Sequence, residues 1–156
     1  MEDIKNQYIV ISVGIENYGV NILDIDSIIR LKKITRIPKT KPYYKGVINL
    51  RGEILPVMSI KKRFGIDNED YTDKSRIIII KDDQDEKTGI IVDEVKDVVN
   101  IPEEDVDMYA IDSMDELAKF TKGVAKDTYN NRLITLLNIE NIMKDDNDED
   151  NDLWKN

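Results

Sequence analysis

Apolar residues in this chain come in short runs that are separated by polar or glycine-containing turns. Runs of this length, several of which alternate with polar residues, are typical of β-strands. A cluster of isoleucines at Ile22–Ile29 instead has spacings of three and four, which predicts a bend that leads into a strand. Apart from the central hairpin described next, the predicted strands are Tyr8–Val13, Tyr18–Asn21, Ile28–Lys32, Ser75–Lys81, Thr88–Asp93, Val95–Ile101, Thr121–Lys126 and Arg132–Leu137.

The central stretch Lys45–Gly65 is predicted to form a strand, a tight turn, a second strand and a short helix. Arg51 and Gly52 interrupt its apolar run, and glycine fits a hairpin turn because it adopts positive φ without steric cost. The turn would present the Arg51 side chain at an exposed tip. Because Pro56 has no N–H group, we expect its strand to lie at a sheet edge or to be bulged there.

The chain contains an internal duplication. Tyr18–Leu31 aligns without gaps with Thr88–Ile101, and Lys45-Gly46-Val47 recurs as Lys122-Gly123-Val124. Self-similarity at this distance predicts two structurally equivalent lobes with about five short strands each. The predicted fold is therefore mainly β, with two small five-stranded barrels packed together and a few short helices. The expected bounds of the lobes are about 8–70 and 71–144, followed by a disordered acidic tail at 145–156.

Composition favours strands and excludes several kinds of active site. The chain has 25 Ile and 11 Val but only 9 Leu, a β-branched bias that favours strands. It has no Cys and no His, so it lacks a thiol nucleophile, the commonest general base and the commonest metal ligand. There is no phosphate-binding glycine loop, and the acidic stretch Asp82–Glu86 lacks the spacing of a calcium loop. We therefore expect no enzymatic activity, no cofactor and no metal site.

The sequence also shows no membrane-directed segment. No apolar stretch approaches the roughly 18–20 residues that span a bilayer. The N-terminal residues lack the cationic and apolar regions of a signal peptide. We therefore expect a cytoplasmic protein without direct membrane insertion.

Charge is unevenly distributed along the chain. The net charge is −9, but Asp145–Asp152 holds six of the acids, whereas Arg30–Arg51 carries only basic charges. A polarised surface steers charged partners towards it. One hypothesis is a small barrel that binds single-stranded nucleic acid through this basic segment, with Tyr43 and Tyr44 stacking on bases. The acidity of the whole chain and the adjacency of the two tyrosines count against it.

A protein-interaction adaptor is the hypothesis that accounts for most features. It needs no catalytic residues, and it would use a polarised surface and a groove between two lobes. The groove would be lined by the paired bends of the duplication, namely Ile22, Ile25 and Ile28 in one copy and Val92, Val95 and Val98 in the other.

The motif G-V-I-N-L-R-G-x-I-x-P-V, which begins at Gly46 and is followed by a basic turn ending in Arg63-Phe64-Gly65, resembles the CheW family of bacterial chemotaxis coupling proteins. The resemblance covers roughly Tyr8 to Met143. It implies a pair of SH3-like barrels and a non-enzymatic adaptor that couples methyl-accepting chemotaxis receptors to the CheA histidine kinase. The same fold occurs as the regulatory domain of CheA, so an isolated kinase regulatory domain is an alternative.

The resemblance also implies partner-binding residues and a location. For the cytoplasmic tip of the receptor it implies a site in the inter-lobe groove, here Ile22, Ile25, Asn49, Arg51 and Val95. For the regulatory domain of CheA it implies a site on the first barrel, here Ile28, Arg30, Leu31 and Lys32. It further implies a cytoplasmic protein that is recruited to membrane receptor arrays. We expect Arg51 to be the main polar anchor, because a guanidinium can bind a carboxylate in two parallel hydrogen bonds.

Overall fold

A computed structural model of the protein describes residues 3–38, 40–66, 70–108 and 116–144, and the predicted tail lies outside these ranges. The described strands are β1 (Gln7–Val13), β2 (Glu16–Asn21), β3 (Ile25–Arg30), β4 (Tyr44–Leu50), β5 (Glu53–Ser59), β6 (Arg76–Lys81), β7 (Lys87–Val92), β8 (Glu94–Asn100), β9 (Val106–Asp107), β10 (Thr121–Asp127) and β11 (Arg132–Leu137). The helices are α1 (Ile60–Arg63), α2 (Ile139–Met143) and short 3₁₀ segments at Ile4–Asn6, Ile22–Asp24, Glu103–Asp105 and Glu116–Phe120. Within the described part of the chain, no helix is long and apolar enough to cross a membrane.

The strands form two sheets, which confirms the mainly β prediction. One sheet has the order β8-β1-β2-β11-β10-β9, and the other has the order β3-β6-β7-β5-β4. The predicted lobe boundary at about residue 70 falls between β5 and β6, which belong to the same sheet. Each sheet therefore contains strands from both halves of the chain, and the two-lobe division stays a prediction about the sequence repeat.

The internal repeat is visible in the strand order. The order β3-β6-β7-β5-β4 corresponds strand for strand to β8-β1-β2-β11-β10. In each sheet one parallel pair joins the two halves, β5 with β7 and β11 with β2. Parallel neighbours cannot be joined by a tight turn. In each of these pairs, one strand belongs to a hairpin that the other half of the chain contributes. Hairpin β1–β2 completes the sheet of the second half, and hairpin β6–β7 completes that of the first.

The segment after β3 links the two edges of the five-stranded sheet. Thr35 exchanges two backbone hydrogen bonds with Val47 of β4, both 2.9 Å long. Gly46 permits this approach, since a Cβ built on it would lie 2.1 Å from the carbonyl oxygen of Thr35, and its φ is +140°. The sheet therefore curls towards the closed shape of an SH3-like barrel, although a single bridge replaces a full ladder between its edges.

Pro56 does not lie on an edge strand, so that part of the prediction is wrong. Its strand β5 lies between β7 and β4. The backbone groups of its partner Val47 point away from β5, because they bond to Thr35, and the ladder between β5 and β7 begins only at Val57. The position of the missing N–H of Pro56 therefore falls just before the β5–β7 ladder begins. The β4–β5 ladder is irregular nearby, between Tyr44 and Gly46.

The main hydrophobic core lies between the two sheets. The four isoleucines of β6 are all fully buried, as expected for a strand that is covered on both faces. Ile78 and Ile80 contribute to the core shared by both sheets, whereas Ile77 and Ile79 contribute to a cluster within the five-stranded sheet. The shared core also receives residues from β1, α1 and α2, so it fixes the arrangement of the two sheets.

An ion pair between a buried lysine and a half-buried aspartate reinforces this arrangement. The Nζ atom of Lys61 in α1 lies 3.0 Å from Oδ1 of Asp93, which stands between β7 and β8. The other carboxylate oxygen of Asp93 accepts a hydrogen bond of 2.8 Å from the backbone N–H of Gly14, in the turn between β1 and β2. One carboxylate therefore joins a helix that follows the five-stranded sheet to a turn of the six-stranded sheet.

Candidate functional site

One edge of the shared core is formed by β3. Ile25 lies opposite Ile80 and Ile28 opposite Ile78, and opposed residues of an antiparallel pair share a face. The side chains of Ile25 and Ile28 therefore point to the side on which the two sheets meet. Ile25 is half-buried and packs against the shared core, whereas Ile28 is 37% exposed.

The corresponding edge of the six-stranded sheet is β8. Val95 lies opposite Ile11 and Val98 opposite Ile9, and both isoleucines belong to the shared core. Val95 is half-buried against that core, whereas Val98 is 56% exposed. We call the outward apolar surface of Ile25, Ile28, Val95 and Val98 the β3–β8 surface. It has the partly exposed apolar character that the predicted groove requires.

The other predicted groove residues differ in exposure. Ile22 is half-buried at the start of the 3₁₀ segment that precedes β3. Val92 is 1% exposed and is a core residue, so it does not line the surface. Ile28, which the family resemblance assigns to the kinase, shares its face with Ile25, which the resemblance assigns to the receptor. The two predicted sites therefore adjoin along β3.

The tip of the β4–β5 hairpin has the predicted tight turn. Arg51 has a φ of +54° and Gly52 a φ of +84°, which is the pattern of a two-residue type I′ turn. Oδ1 of Asn49 accepts a hydrogen bond of 3.0 Å from the N–H of Gly52, which rigidifies the turn. Arg51 is exposed, and within the described ranges its side chain has no hydrogen bond or ion pair. A rigid tip thus presents an uncompensated cation.

Two lysines tie this tip to β3 and the residues after it. Nζ of Lys32, just beyond β3, donates a hydrogen bond to the backbone carbonyl of Asn49. Nζ of Lys87 lies 3.5 Å from Oδ1 of Asp26 in β3 and 3.8 Å from Oε2 of Glu53, which follows the tip. Predicted receptor and kinase residues that are distant in sequence are therefore neighbours in the structure.

The corresponding tip of the β10–β11 hairpin is different. Its turn, residues 128–131, contains no arginine. Arg132, which takes the place of Glu53 as the first residue of its strand, is paired with Asp127 through a contact of 3.0 Å and with Asp97 through a contact of 2.7 Å. Hydrogen bonds from Asn130, together with the nearby Arg132, lower the pKa of Asp127. The turn of the second hairpin therefore has no counterpart of the exposed Arg51.

Next to the β3–β8 surface, the ionised carboxylate of Asp24 is unfavourable for the folded protein. Burial of this carboxyl group raises its pKa, an effect that Lys122 opposes and Glu140 reinforces. Glu140 also accepts a hydrogen bond of 3.2 Å from the backbone N–H of Asp83. The negative charge of Glu140 in α2 therefore acts on the bend that precedes β3.

Sequence reasoning missed an acidic groove of about 550 Å³ beside the β4–β5 hairpin. Its walls come from β5, the β6–β7 turn and α2, and they comprise Tyr44, Glu53, Ile54, Leu55, Pro56, Asp82, Asp85, Glu86, Lys87, Thr88 and Met143. The acidic residues of Asp82–Glu86 were the signal in the sequence that could have indicated this groove. Sequence reasoning interpreted them only as a solvated turn. Among the described residues no three acidic side chains converge as a metal site would require.

The chain is similar to proteins of bacterial chemotaxis. The family model described as the CheW-like domain matches residues 7–147. The chain is 36% identical to the chemotaxis protein CheW of Bacillus subtilis (89% of this chain, 77% of that protein) and 32% identical to that of Thermotoga maritima (93% of each). It matches the crystal structure of the scaffolding protein TtCheW from Thermoanaerobacter tengcongensis with a TM-score of 0.80 and 33% identity, over 91% of this chain and 90% of that one.

Proposed function

The chain belongs to the CheW family and is a non-enzymatic chemotaxis adaptor, and we propose that it binds receptor and kinase through two adjoining surfaces around β3. Membership of the family confirms the predictions of a coupling adaptor and of a protein without enzymatic activity. The specific partners proposed are the cytoplasmic tip of methyl-accepting chemotaxis receptors and the regulatory domain of the CheA histidine kinase. The proposed location is the cytoplasm, with recruitment to membrane receptor arrays.

The receptor surface that we propose combines an apolar strip with one cation. Ile22, Ile25 and Val95 supply apolar contact area beside the shared core. Asn49 and Arg51 lie at the hairpin tip that Lys32 and Lys87 hold close to β3. The observation that supports this proposal most directly is the guanidinium of Arg51, which is exposed and has no partner within the described ranges, whereas the turn of the second hairpin has no arginine.

The kinase surface that we propose lies just beyond the end of β3. Leu31 is 37% exposed and Lys32 is also exposed, and both follow the last residue of the strand. The resemblance assigns Ile28 and Arg30 to the kinase as well, but they share the face of Ile25, so we propose that they belong to the receptor surface instead. Apolar contact area with a charged rim is the usual composition of a specific interface.

The comparisons give no support to the two alternative functions. The similar proteins are chemotaxis proteins and a scaffold, not nucleic-acid-binding proteins or kinases. Tyr43, one of the two tyrosines expected to stack on bases, is 7% exposed, and the guanidinium of Arg63 lies 4.2 Å from the centre of its ring. Tyr43 is therefore unavailable as a stacking platform for nucleic acid.

Calorimetric titration with a receptor-tip fragment tests the anchor role of Arg51. A hydrogen bond to a charged group is worth roughly 1.5–3 kcal/mol, so Arg51→Ala should weaken receptor binding by about 10- to 100-fold. Arg51→Lys should recover only part of this loss, because lysine cannot form the two parallel bonds. The melting temperature should barely change, since an exposed side chain contributes little to stability.

Two variants serve as controls for this titration. Lys33→Ala removes an equal charge from an exposed position nearby and should have little effect on receptor binding. Leu31→Asp should weaken binding of the CheA regulatory domain while it spares the receptor. An Arg51→Ala protein that binds the receptor as tightly as the wild type would refute the anchor role, as would equal losses for Arg51→Ala and Lys33→Ala.

A further inference from the structure

Two arginines face each other at one end of the β3–β8 surface. Arg30 lies directly opposite Arg76 in the last pair of the β3–β6 ladder. It also shares the face of Ile28, because residues two apart in a strand point to the same side. Like charges directly opposed in a sheet are destabilising. A role other than stabilising the sheet would therefore explain this pair.

The fold compensates these cations only in part. Nη1 of Arg76 donates hydrogen bonds to the backbone carbonyls of Asp73, at 2.7 Å, and Ser75, at 2.8 Å. The side chain of Arg30 is exposed and has no partner among the described residues. Uncharged carbonyls therefore hold one guanidinium in place, and the other remains available.

A small pocket lies between Arg76 and the first residues of β8. Its volume is about 160 Å³, and its lining residues are Lys74, Arg76, Glu94 and Val95. With Arg30 opposite Arg76, three cations and one acid surround the point where Val95 contributes to the β3–β8 surface. The apolar surface thus ends in a cationic cluster on this side.

The internal repeat provides a comparison within the same molecule. In the alignment of the two copies, Arg30 corresponds to Asn100. Asn100 lies opposite Gln7 in the last pair of the β8–β1 ladder, which corresponds to the pair of Arg30 and Arg76. The fold therefore forms this pair with uncharged amides at one end of the surface, and it does not require cations at the other.

We propose that Arg30 and Arg76 bind carboxylates of a partner segment on the β3–β8 surface and thereby set the direction in which the segment lies. The segment is amphipathic, with apolar side chains against Ile28 and Val98 and acidic residues at one end only. The receptor segment of the proposed function is its source, so the inference rests on that function. Without the two arginines, the nearly symmetrical surface would accept the segment in either direction.

Exchanging the charges between the two ends tests this directly. The end of the surface at Arg30 and Arg76 is called the cationic end, and the end at Asn100 and Gln7 is called the amide end. The double variant Arg30→Asn/Arg76→Gln gives the cationic end the same two uncharged amides as the amide end. We expect it to bind a receptor-tip fragment about tenfold more weakly at low salt and to lose part of the salt dependence of binding, while the part that depends on Arg51 remains. Its melting temperature should not fall, because the change removes a repulsive pair. Gln7→Arg/Asn100→Arg, added to this double variant, should restore salt-dependent binding.

Crosslinking reports the direction of binding. The chain has no cysteine, so single cysteines can be introduced at Lys74, beside the arginine pair, or at Lys5, near the amide end. A fragment with one cysteine at its acidic end should form a disulfide with Lys74→Cys in the otherwise unchanged protein. It should react with both positions in the double variant and mainly with Lys5→Cys after the charges are moved.

The outcomes separate this inference from the proposed function. If the unchanged protein does not bind the fragment, the proposed receptor function is wrong and the inference falls with it. If it binds, but the double variant has the same affinity and the same crosslinks, only the inference is overturned. If the double variant melts at a lower temperature, the arginines are structural, and failure of the relocated arginines to redirect the crosslink would then overturn the inference.

Discussion

Replacing Gly46 with alanine tests whether the bridge between Thr35 and Val47 closes the five-stranded sheet. The new Cβ would lie 2.1 Å from the carbonyl oxygen of Thr35 and 2.7 Å from its carbonyl carbon. These are backbone atoms, which cannot turn aside as the end of a flexible side chain can. We therefore expect the segment after β3 to separate from β4.

The expected cost of Gly46→Ala has two parts. Separation removes the two backbone hydrogen bonds between Thr35 and Val47, each worth about 0.5–1.5 kcal/mol net. Holding alanine near the φ of +140° adds about 1–3 kcal/mol of strain. The free energy of unfolding should fall by about 2–6 kcal/mol, which corresponds to a melting temperature lower by roughly 4–24 °C for a chain of this size.

Urea unfolding followed by far-ultraviolet circular dichroism measures this cost, and Gly52→Ala is the matched control. Gly52 also has a positive φ, +84°, but a Cβ built on it would meet nothing within 4 Å. Its replacement should therefore cost only the conformational strain, about 1–2 kcal/mol. Equal losses of unfolding free energy in the two variants would show that the bridge contributes nothing and would refute the reasoning.

Two further predictions concern buried charges. Lys61→Met should lower the free energy of unfolding by about 2 kcal/mol, because it leaves the half-buried Asp93 without a counter-charge, and Lys61→Met/Asp93→Asn should recover most of that loss in urea titrations. Asp24→Asn should raise the melting temperature at pH 7, since burial, reinforced by Glu140, raises the pKa of Asp24, so its ionised form weakens the fold. The gain should shrink as the pH falls towards 3.8, where the unfolded carboxyl group also becomes protonated, and an equal gain at both pH values would contradict this explanation.

The receptor and kinase residues remain predictions, but the structure changes how they relate to one another. Ile28 and Arg30 share a face with Ile25, whereas Leu31 and Lys32 lie beyond the strand. The sequence could not separate them, because the bend before β3 hides the alternation of its faces. The ladder between β3 and β6 shifts register between Ile25 and Ser27, and side-chain directions become readable only once that shift is known.

Several local features of the fold were predictable from the sequence alone. The turn at Arg51 and Gly52, the fully buried strand of four isoleucines and the correspondence of the two copies depend on residue type and spacing over a few positions. Backbone dihedral preferences and the period of two in a strand decide such features locally. For the same reason, the sequence predicted an exposed arginine at the hairpin tip.

Only the tertiary structure decided which strands pair. The two copies exchange hairpins, the strand of Pro56 lies inside its sheet, and Arg30 faces Arg76 although the two residues are far apart in sequence. Strand partners are selected by burial of the whole shared core and by the backbone hydrogen bonds of distant segments, which no local pattern encodes. The cationic end of the β3–β8 surface therefore exists only in the folded protein, because pairing alone brings its two arginines together.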